Sequence, residues 1–281
     1  MPSVLVTGAA RGIGKAIAQH LAVSGWDVIA GVRTNADAAA VTALNPQRIS
    51  AVVLDVTDAD HIAALAGSLP DRLDAVVNNA GIVVAGPVET LTSEDWRKQF
   101  EVNVVGQFAV TAAVLPKLRE SRGRLVFISS VNGQLSMPMM GAYAASKFAL
   151  EAGAEALRIE LRPWRIPVVV VEPAQTDTDL WRNADDMVAE LEAATSPAHR
   201  ALYDRHIAGM KKMVPLSQKM AVAPAKVVAV VEEALTARRP RARYIVGFGP
   251  KAQVAVMTNI PTTLRDRLLA RVFGVPRSLS H

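Results

Sequence analysis

A doubly wound α/β fold, a parallel sheet of about seven strands with helices on both faces, is the class this sequence predicts. Three observations predict it. Short apolar, β-branched runs recur along the chain, stretches of helical spacing separate them, and a glycine-rich turn joins the first run to the first helix. Strands that are apolar on both faces belong in a sheet covered on both sides, and such a sheet takes its ligand at the carboxyl ends of its strands.

The strand-like runs are Val4–Thr7, Val28–Val32, Ala51–Leu54, Ala75–Asn78, Leu125–Ser129 and Val168–Glu172, with Tyr244–Gly247 a seventh. Lys15 to Val23, Trp96 to Leu118 and Tyr143 to about Arg162 alternate with helical spacing. From Asp179 to about Met220 the rhythm changes. A helical lid at about 179–220 is therefore expected on an otherwise single domain spanning residues 1–281.

Composition narrows the chemistry. Of the 281 residues, 51% are hydrophobic, 20% charged and 5% aromatic, enough apolar content for a sizeable core and too much for disorder. The absence of cysteine excludes disulfides, thiolate zinc sites, iron–sulfur clusters and cysteine nucleophiles. Lys plus Arg exceed Asp plus Glu by 31 to 26, a net charge of +5, which is thin for a nucleic-acid surface and suits an acidic small ligand. No run approaches the roughly 18 apolar residues of a membrane helix. Met1-Pro2-Ser3 enters the first strand without a basic or long apolar leader, so the expected compartment is the cytosol.

The turn after the first strand reads Thr7-Gly8-Ala9-Ala10-Arg11-Gly12-Ile13-Gly14. Glycines at 8, 12 and 14 allow a tight turn and let backbone N–H groups approach a pyrophosphate at a helix N-terminus, as in a Rossmann-type dinucleotide site. The second strand ends in Arg33 with no acid nearby. A ribose 2′-hydroxyl calls for a carboxylate there, whereas a 2′-phosphate calls for a cation, so Arg33, with Arg11 in the turn, favours NADP(H) over NAD. Solvation is the plainer fate of both arginines. Asp55, after the third strand, either accepts from an adenine amino group or caps the next helix, which Asp58 can also do.

Tyr143-Ala144-Ala145-Ser146-Lys147 opens a long helix and places Lys147 one turn after Tyr143 on the same face. A phenol titrating near ~10 is a poor proton-transfer group at neutral pH, and a neighbouring ammonium favours its ionised form.

Together the strings Thr7-Gly8-x3-Gly12-Ile13-Gly14, Asp55-Val56, Asn78-Asn79-Ala80-Gly81, Asn103, Ser130, Tyr143-x3-Lys147 and Pro173-Ala174-Gln175-Thr176-Asp177-Thr178 resemble the short-chain dehydrogenase/reductase family over about residues 3–178. The resemblance implies Tyr143 as general acid in reduction and base in oxidation, with Ser130, thirteen residues earlier, holding the substrate oxygen. That spacing selects Ser130 over its neighbour Ser129. The resemblance also implies that Lys147 binds the nicotinamide ribose and lowers the Tyr143 pKa, and that Asn103 holds a water in a proton relay. Gly8, Arg11, Gly12, Ile13, Gly14, Arg33, Asp55, Val56 and Asn79 would line the cofactor's adenosine and phosphate side, and Thr176 and Thr178 would anchor the nicotinamide. One departure stands out: Ala174 replaces the family's usual glycine, so the turn there is either ordinary or displaced.

Between Ser130 and Tyr143, Met137, Met139 and Met140 offer a flexible apolar surface expected to border a bulky ketone or secondary alcohol of steroid-, retinoid- or lipid-like character. Leu180, Trp181, Met187, Leu191, Met210, Met213 and Met220 are expected to serve ordinary packing in the lid. The strings Tyr143–Glu151 and Arg243–Gly247 resemble the 17β-hydroxysteroid and retinol dehydrogenase branch. An NADP(H)-dependent oxidoreductase is therefore expected. The alternatives are a 3-oxoacyl thioester-type reductase of the same family, an epimerase or dehydratase, or a non-catalytic NADP(H)-binding regulator. The family also implies a homodimer or homotetramer through the long helices.

Other charged features read plainly. The five histidines lack metal-site spacing, so no metal is expected. The basic run Arg238-Arg239-Pro240-Arg241-Ala242-Arg243 reads as a solvated connection, with contact to an anionic membrane, helped by a Leu264–Phe273 helix, the less favoured alternative.

Overall fold

The computed structural model describes residues 1–177 and 184–275. Seven strands, β1 (Ser3–Thr7), β2 (Asp27–Val32), β3 (Ile49–Val53), β4 (Ala75–Asn78), β5 (Arg124–Ile128), β6 (Val168–Glu172) and β7 (Arg243–Ile245), form one parallel sheet in the order β3-β2-β1-β4-β5-β6-β7. The expected strands are all present, Ala75–Asn78 and Val168–Glu172 with the expected bounds and the others with ends shifted by at most two residues. The order reverses between β1 and β4, the point at which a doubly wound sheet takes its ligand beyond the carboxyl ends of the strands.

Alternation along each strand divides the core between the two faces. Val4, Val6, Val28, Ala30, Val77, Val126, Val169 and Val171 pack with Ile17 and Leu21 of α1 (Gly12–Val23) and with Val227, Val231 and Leu235 of the helix Pro224–Thr236. Leu5, Ile29, Val76, Leu125, Phe127, Val168 and Val170 pack on the other side. Their partners there include Leu65 of α3 (Ala59–Ser68), Val110 and Val114 of α5 (Gly106–Ser121), and Leu150 and Ala154 of α6 (Gly141–Glu160). Between them in the chain lie α2 (Asn35–Thr42) and α4 (Ser93–Phe100).

The helix expected over Trp96–Leu118 is broken in one respect. Between α4 and α5 the backbone widens into a π turn, Glu101–Val105, that buries Asn103 completely. Such widened turns place a polar side chain where a regular helix would not, and they concentrate at functional sites.

After β6 the chain leaves the sheet at Thr176, which bridges to Val222, and Asp177 N–H donates to the Val222 carbonyl at 3.0 Å. The excursion between these points contains α7 (Ala184–Ala194) and α8 (Pro197–Lys219), and α9 (Pro224–Thr236) returns to the sheet. Two helices, α10 (Phe248–Asn259) and α11 (Thr262–Val272), follow β7.

Candidate active site

The glycine turn is shaped by backbone contacts. Gly8 and Gly12 have φ of +65° and +57°, conformations that side chains disfavour. A side chain at Gly14 would run into the Gly8 carbonyl and the Asn79 amide. Thr7 Oγ1 accepts from Asn79 N–H (2.9 Å) and Ala80 N–H (3.0 Å), while Asn79 Nδ2 donates to the carbonyls of Thr7 (2.9 Å) and Gly8 (3.3 Å). The end of β4 is thus stitched to the turn after β1. Asn79 spends its amide nitrogen on holding the turn, and Thr7, to which the motif alone gave no role, is its partner.

The start of α1 carries no side-chain cap from Arg11 and no acid in its first turn. Its first amides are left for an anion, and these residues fit a dinucleotide pyrophosphate. Arg11 and Arg33 are both exposed, and neither forms an ion pair among the described residues. Thr34 caps α2, accepting from Asp37 N–H at 3.1 Å, so Arg33 has no part in that cap. Asp58 caps α3, accepting from Asp60 and His61 N–H groups, which removes capping from the alternatives for Asp55. Asp55 instead takes both bonds of Thr57 on Oδ1. Val56 is buried, and a side chain at Gly106 would meet its carbonyl at 2.5 Å.

Ser130, Tyr143 and Lys147 come together at the ends of β5 and the start of α6. Ser130 follows β5, and its Oγ accepts from Asn132 N–H at 3.1 Å as it caps the short turn Val131–Gly133. The Ser130 side chain faces the Tyr143 phenol and draws its pKa downward. Ser129 points elsewhere and donates to Glu151 Oε1 at 2.6 Å. Lys147 Nζ donates to the Ile128 carbonyl at 2.9 Å and lies 5.9 Å from the Tyr143 ring centre. Asn103 Oδ1 accepts from Ile82 N–H at 2.9 Å, and its Nδ2 donates to the Ile82 carbonyl (3.0 Å) and Ser146 Oγ (3.1 Å). A side chain at Gly81 would stand 3.4 Å from Asn103 Oδ1 and 3.9 Å from Lys147 Nζ, which places those two groups around one point.

Burial sets the protonation of this group. It pushes the Tyr143 phenol above its ordinary value, with the Ser130 side chain pulling the other way. It pushes Lys147 down to about 8, against the pull of Glu151 one turn along α6. The expected lowering of the Tyr143 pKa by Lys147 is therefore not what the site displays. Desolvation raises it, and Tyr143 is held as the neutral acid.

On the nicotinamide side, Ala174 sits outside the left-handed region, so the turn is an ordinary one. The Pro173 carbonyl accepts from Val131 N–H at 3.1 Å, and Thr176, buried, donates to the Ala174 carbonyl at 3.0 Å. Thr178, Leu180 and Trp181, and the side chain of Met187, lie outside the described residues.

Beside Tyr143, Met139 and Met140 are buried in one apolar cluster with Val188 and Leu191 of α7 and Ile207, Met210 and Val214 of α8, while Met137 packs half-buried against it. Met139 adopts φ +68°, and its carbonyl accepts from Gly86 N–H at 2.7 Å. Met213 is half-buried and Met220 exposed. The basic run divides. Arg238, Arg239 and Arg241 lie on the surface, whereas Arg243 is half-buried against Glu151 and Glu172, which the reading as a solvated connection did not anticipate. Of the described histidines, His20 pairs with Glu232 at 2.7 Å and His199 meets Ser196 Oγ at 3.1 Å.

The profile of the short chain dehydrogenase family matches residues 2–189. Retinol dehydrogenase 5 of Mus musculus is 31% identical over 97% of this chain and 89% of its own length. The NADPH-dependent 3-dehydrocapnine reductase of Ornithobacterium rhinotracheale is 32% identical, covering 97% and 96%. The 17-beta-hydroxysteroid dehydrogenase type 6 of Bos taurus is 32% identical, covering 97% and 89%. Among solved structures, a short chain dehydrogenase from Burkholderia cenocepacia J2315 in complex with NADP superposes with a TM-score of 0.75 at 25% identity, over 95% of this chain and 97% of that one.

Proposed function

We propose that this chain, which belongs to the short-chain dehydrogenase family and resembles its retinol and steroid dehydrogenase branch, is an NADP(H)-dependent oxidoreductase that interconverts a bulky apolar ketone and its secondary alcohol. The observation that carries the reading is a neutral phenol, Tyr143, faced by Ser130 and followed one turn later by Lys147, at the edge of an apolar cluster. The cofactor, when bound, supplies or accepts the hydride.

The protein's own groups do the rest. The Ser130 hydroxyl holds the substrate oxygen, and the Tyr143 hydroxyl gives that oxygen its proton in reduction or removes it in oxidation. As Tyr143 gives up its proton it becomes anionic, and a charged Lys147 stabilises that anion. Asn103, which orders the Ile82 backbone beside Lys147, shapes the route by which the proton is replaced. Met137, Met139 and Met140, together with α7 and α8 as a lid over 179–220, exclude water and select an apolar substrate. Arg11 and Arg33 favour a 2′-phosphate on the cofactor, with Gly8, Gly12, Ile13 and Gly14 under its pyrophosphate. Relatives named for retinol, for 17-beta-hydroxysteroids and for NADPH-dependent reduction support the same direction. Exposed Val105, Phe148, Ile159 and Trp164 on and beside the long helices suit a homodimer or homotetramer through that face.

The test is oxidation of NADPH and of NADH against a panel of apolar and small polar ketones. Turnover of apolar ketones with NADPH is expected. Turnover restricted to small polar or acyl-carrier substrates would overturn the substrate class, and a preference for NADH would overturn the role of Arg33. Among the described residues no helix is long and apolar enough to cross a membrane.

A further inference from the structure

Directly beneath the catalytic residues lies a buried set of charges that the reaction scheme above does not use. Glu172, the last residue of β6, is wholly buried, and Glu151 on α6 is nearly so. Arg243 of β7 bridges them: one guanidinium nitrogen donates to Glu151 Oε2 at 2.5 Å and to Glu172 Oε1, and the other reaches Glu155 at 3.0 Å. Each carboxylate has a second partner in the loop that carries Ser130. Glu151 Oε1 takes the Ser129 hydroxyl, and Glu172 Oε2 takes the Gln134 amide. Gly133 leaves the room: any side chain there would collide with Glu151 Oε1.

We propose that Glu151, Glu172 and Arg243 are positioning residues for the reaction: Arg243 clamps the two carboxylates, which hold Ser129 and Gln134, and with them the Ser130 hydroxyl, against the helix bearing Tyr143 and Lys147, while Glu151 serves as counter-ion to Lys147. The proposal rests on the roles given above to Ser130, Tyr143 and Lys147. Its geometry ties together the elements around the reacting centre: α6 through Glu151, the end of β5 through Ser129, the turn after it through Gln134, β6 through Glu172 and β7 through Arg243. Burying two carboxylates is costly, and well-packed apolar residues commonly do as well for stability. A network of this kind is better explained by what it holds in register. The charged groups facing Glu172 are Glu151 and Arg243, with Glu155 on the far side of Arg243 and Lys147 beyond Glu151. Burial and Glu151 push Glu172 up to about 7, so above neutrality Glu172 carries its negative charge and depends on Arg243 most.

The test compares Arg243→Gln with the double variant Arg243→Gln/Glu172→Gln, using reduction of an apolar ketone at pH 8. Arg243→Gln should lose about tenfold or more in kcat while its Kd for NADPH stays within about threefold, and adding Glu172→Gln should restore at least about threefold by removing the unmatched anion. A kcat for the folded single variant within about twofold of the parent, or no recovery in the double variant, overturns the proposal. Where Arg243→Gln does not fold, Arg243→Lys replaces it, keeping the charge and losing the two-pronged contact. Its kcat should fall about fivefold, and a value within about twofold of the parent again overturns the idea. If the parent reduces no ketone, the functional reading has failed, and the network is read without substrate. In lysine-labelled protein, the NMR titration midpoint of the Lys147 ε-carbon should fall by about 0.5 in Glu151→Gln, since an anion beside the ammonium is gone; an unmoved midpoint overturns the proposal.

Discussion

On one side, between β1 and β4, the site is built from backbone: glycines 8, 12 and 14, the open first turn of α1, and Thr7 and Asn79 stitching two strand ends together. Its charges, Arg11 and Arg33, stand in solvent with no ion pair among the described residues. On the other side, between β5 and β7, the site is built from side chains: Ser130, Tyr143 and Lys147 above, Glu151, Glu172 and Arg243 below, four of them buried and the lower three joined through Arg243. The difference teaches how each side is tuned. An exposed cation waiting for a phosphate costs the fold little and contributes when the ligand arrives. Buried charges must be matched before any ligand binds, and burial has already set their protonation.

If the division is real, single changes on the two sides should fail in different ways. The largest effect belongs to Tyr143→Phe. Removing the hydroxyl should cost at least about a thousandfold in kcat, because phenylalanine has no proton to transfer, while NADPH binding changes less than about threefold. Ordinary turnover by this variant, checked by steady-state kinetics, would break the comparison outright. On the opposite side, Arg33→Ala should weaken NADPH binding by about thirtyfold, near 2 kcal/mol for a lost charge-assisted contact, and leave NADH binding unchanged. Fluorescence titration with both cofactors reads it. Equal losses for the two would mean that Arg33 does not face the 2′-phosphate.

A pH profile sharpens the comparison further, since only the buried side should respond near neutrality. Burial disfavours the charge of Lys147 and pushes its pKa down to about 8. The ammonium is present below that value and lost above it, and Tyr143, pushed up by burial, remains a proton donor throughout. Reduction should therefore decline by about tenfold per pH unit above the Lys147 midpoint, through loss of the charge that steadies the nascent phenolate. Cofactor binding at Arg33 should stay flat over the same range. A reductive rate that holds level to pH 9.5 would place the controlling charge somewhere other than Lys147.

Legibility in the sequence follows the same line. The sheet, the glycine turn and the Tyr143–Lys147 pair are set by spacings of a few residues, and each stood in the sequence with nearly the bounds the structure gives it. Asn103 was visible as a residue, but the π turn that buries it was not, because a widened turn leaves no mark in apolar periodicity. The charge network was illegible for a simpler reason. Arg243 meets Glu172 across 71 positions and Glu151 across 92, so within its own neighbourhood it looked like one more arginine of a surface run. Glu172 did carry a signal: a carboxylate closing an otherwise wholly apolar strand, Val168–Glu172, demands a buried partner.

The smallest predicted effect concerns Met139, which sits on the catalytic side but is held by backbone, like the cofactor side. Its φ of +68° is a conformation that costs a side-chain-bearing residue about 1 kcal/mol, and glycine adopts it freely. The carbonyl that this conformation aims at Gly86 N–H would survive in Met139→Gly, while the buried thioether between Tyr143 and the α7 and α8 residues would vanish. Relief of strain and loss of burial therefore oppose each other, and since a buried methionine contributes about 2 kcal/mol or more, stability should fall by about 1–2 kcal/mol net. KM for an apolar ketone should rise several-fold with kcat nearly constant, because on the proposed reading Met139 borders the substrate's apolar body and not its oxygen. Thermal melts together with steady-state kinetics separate these effects. A loss in kcat at constant KM would mean that the strained turn positions Tyr143 itself, and the boundary between backbone-built and side-chain-built halves would then run through this loop.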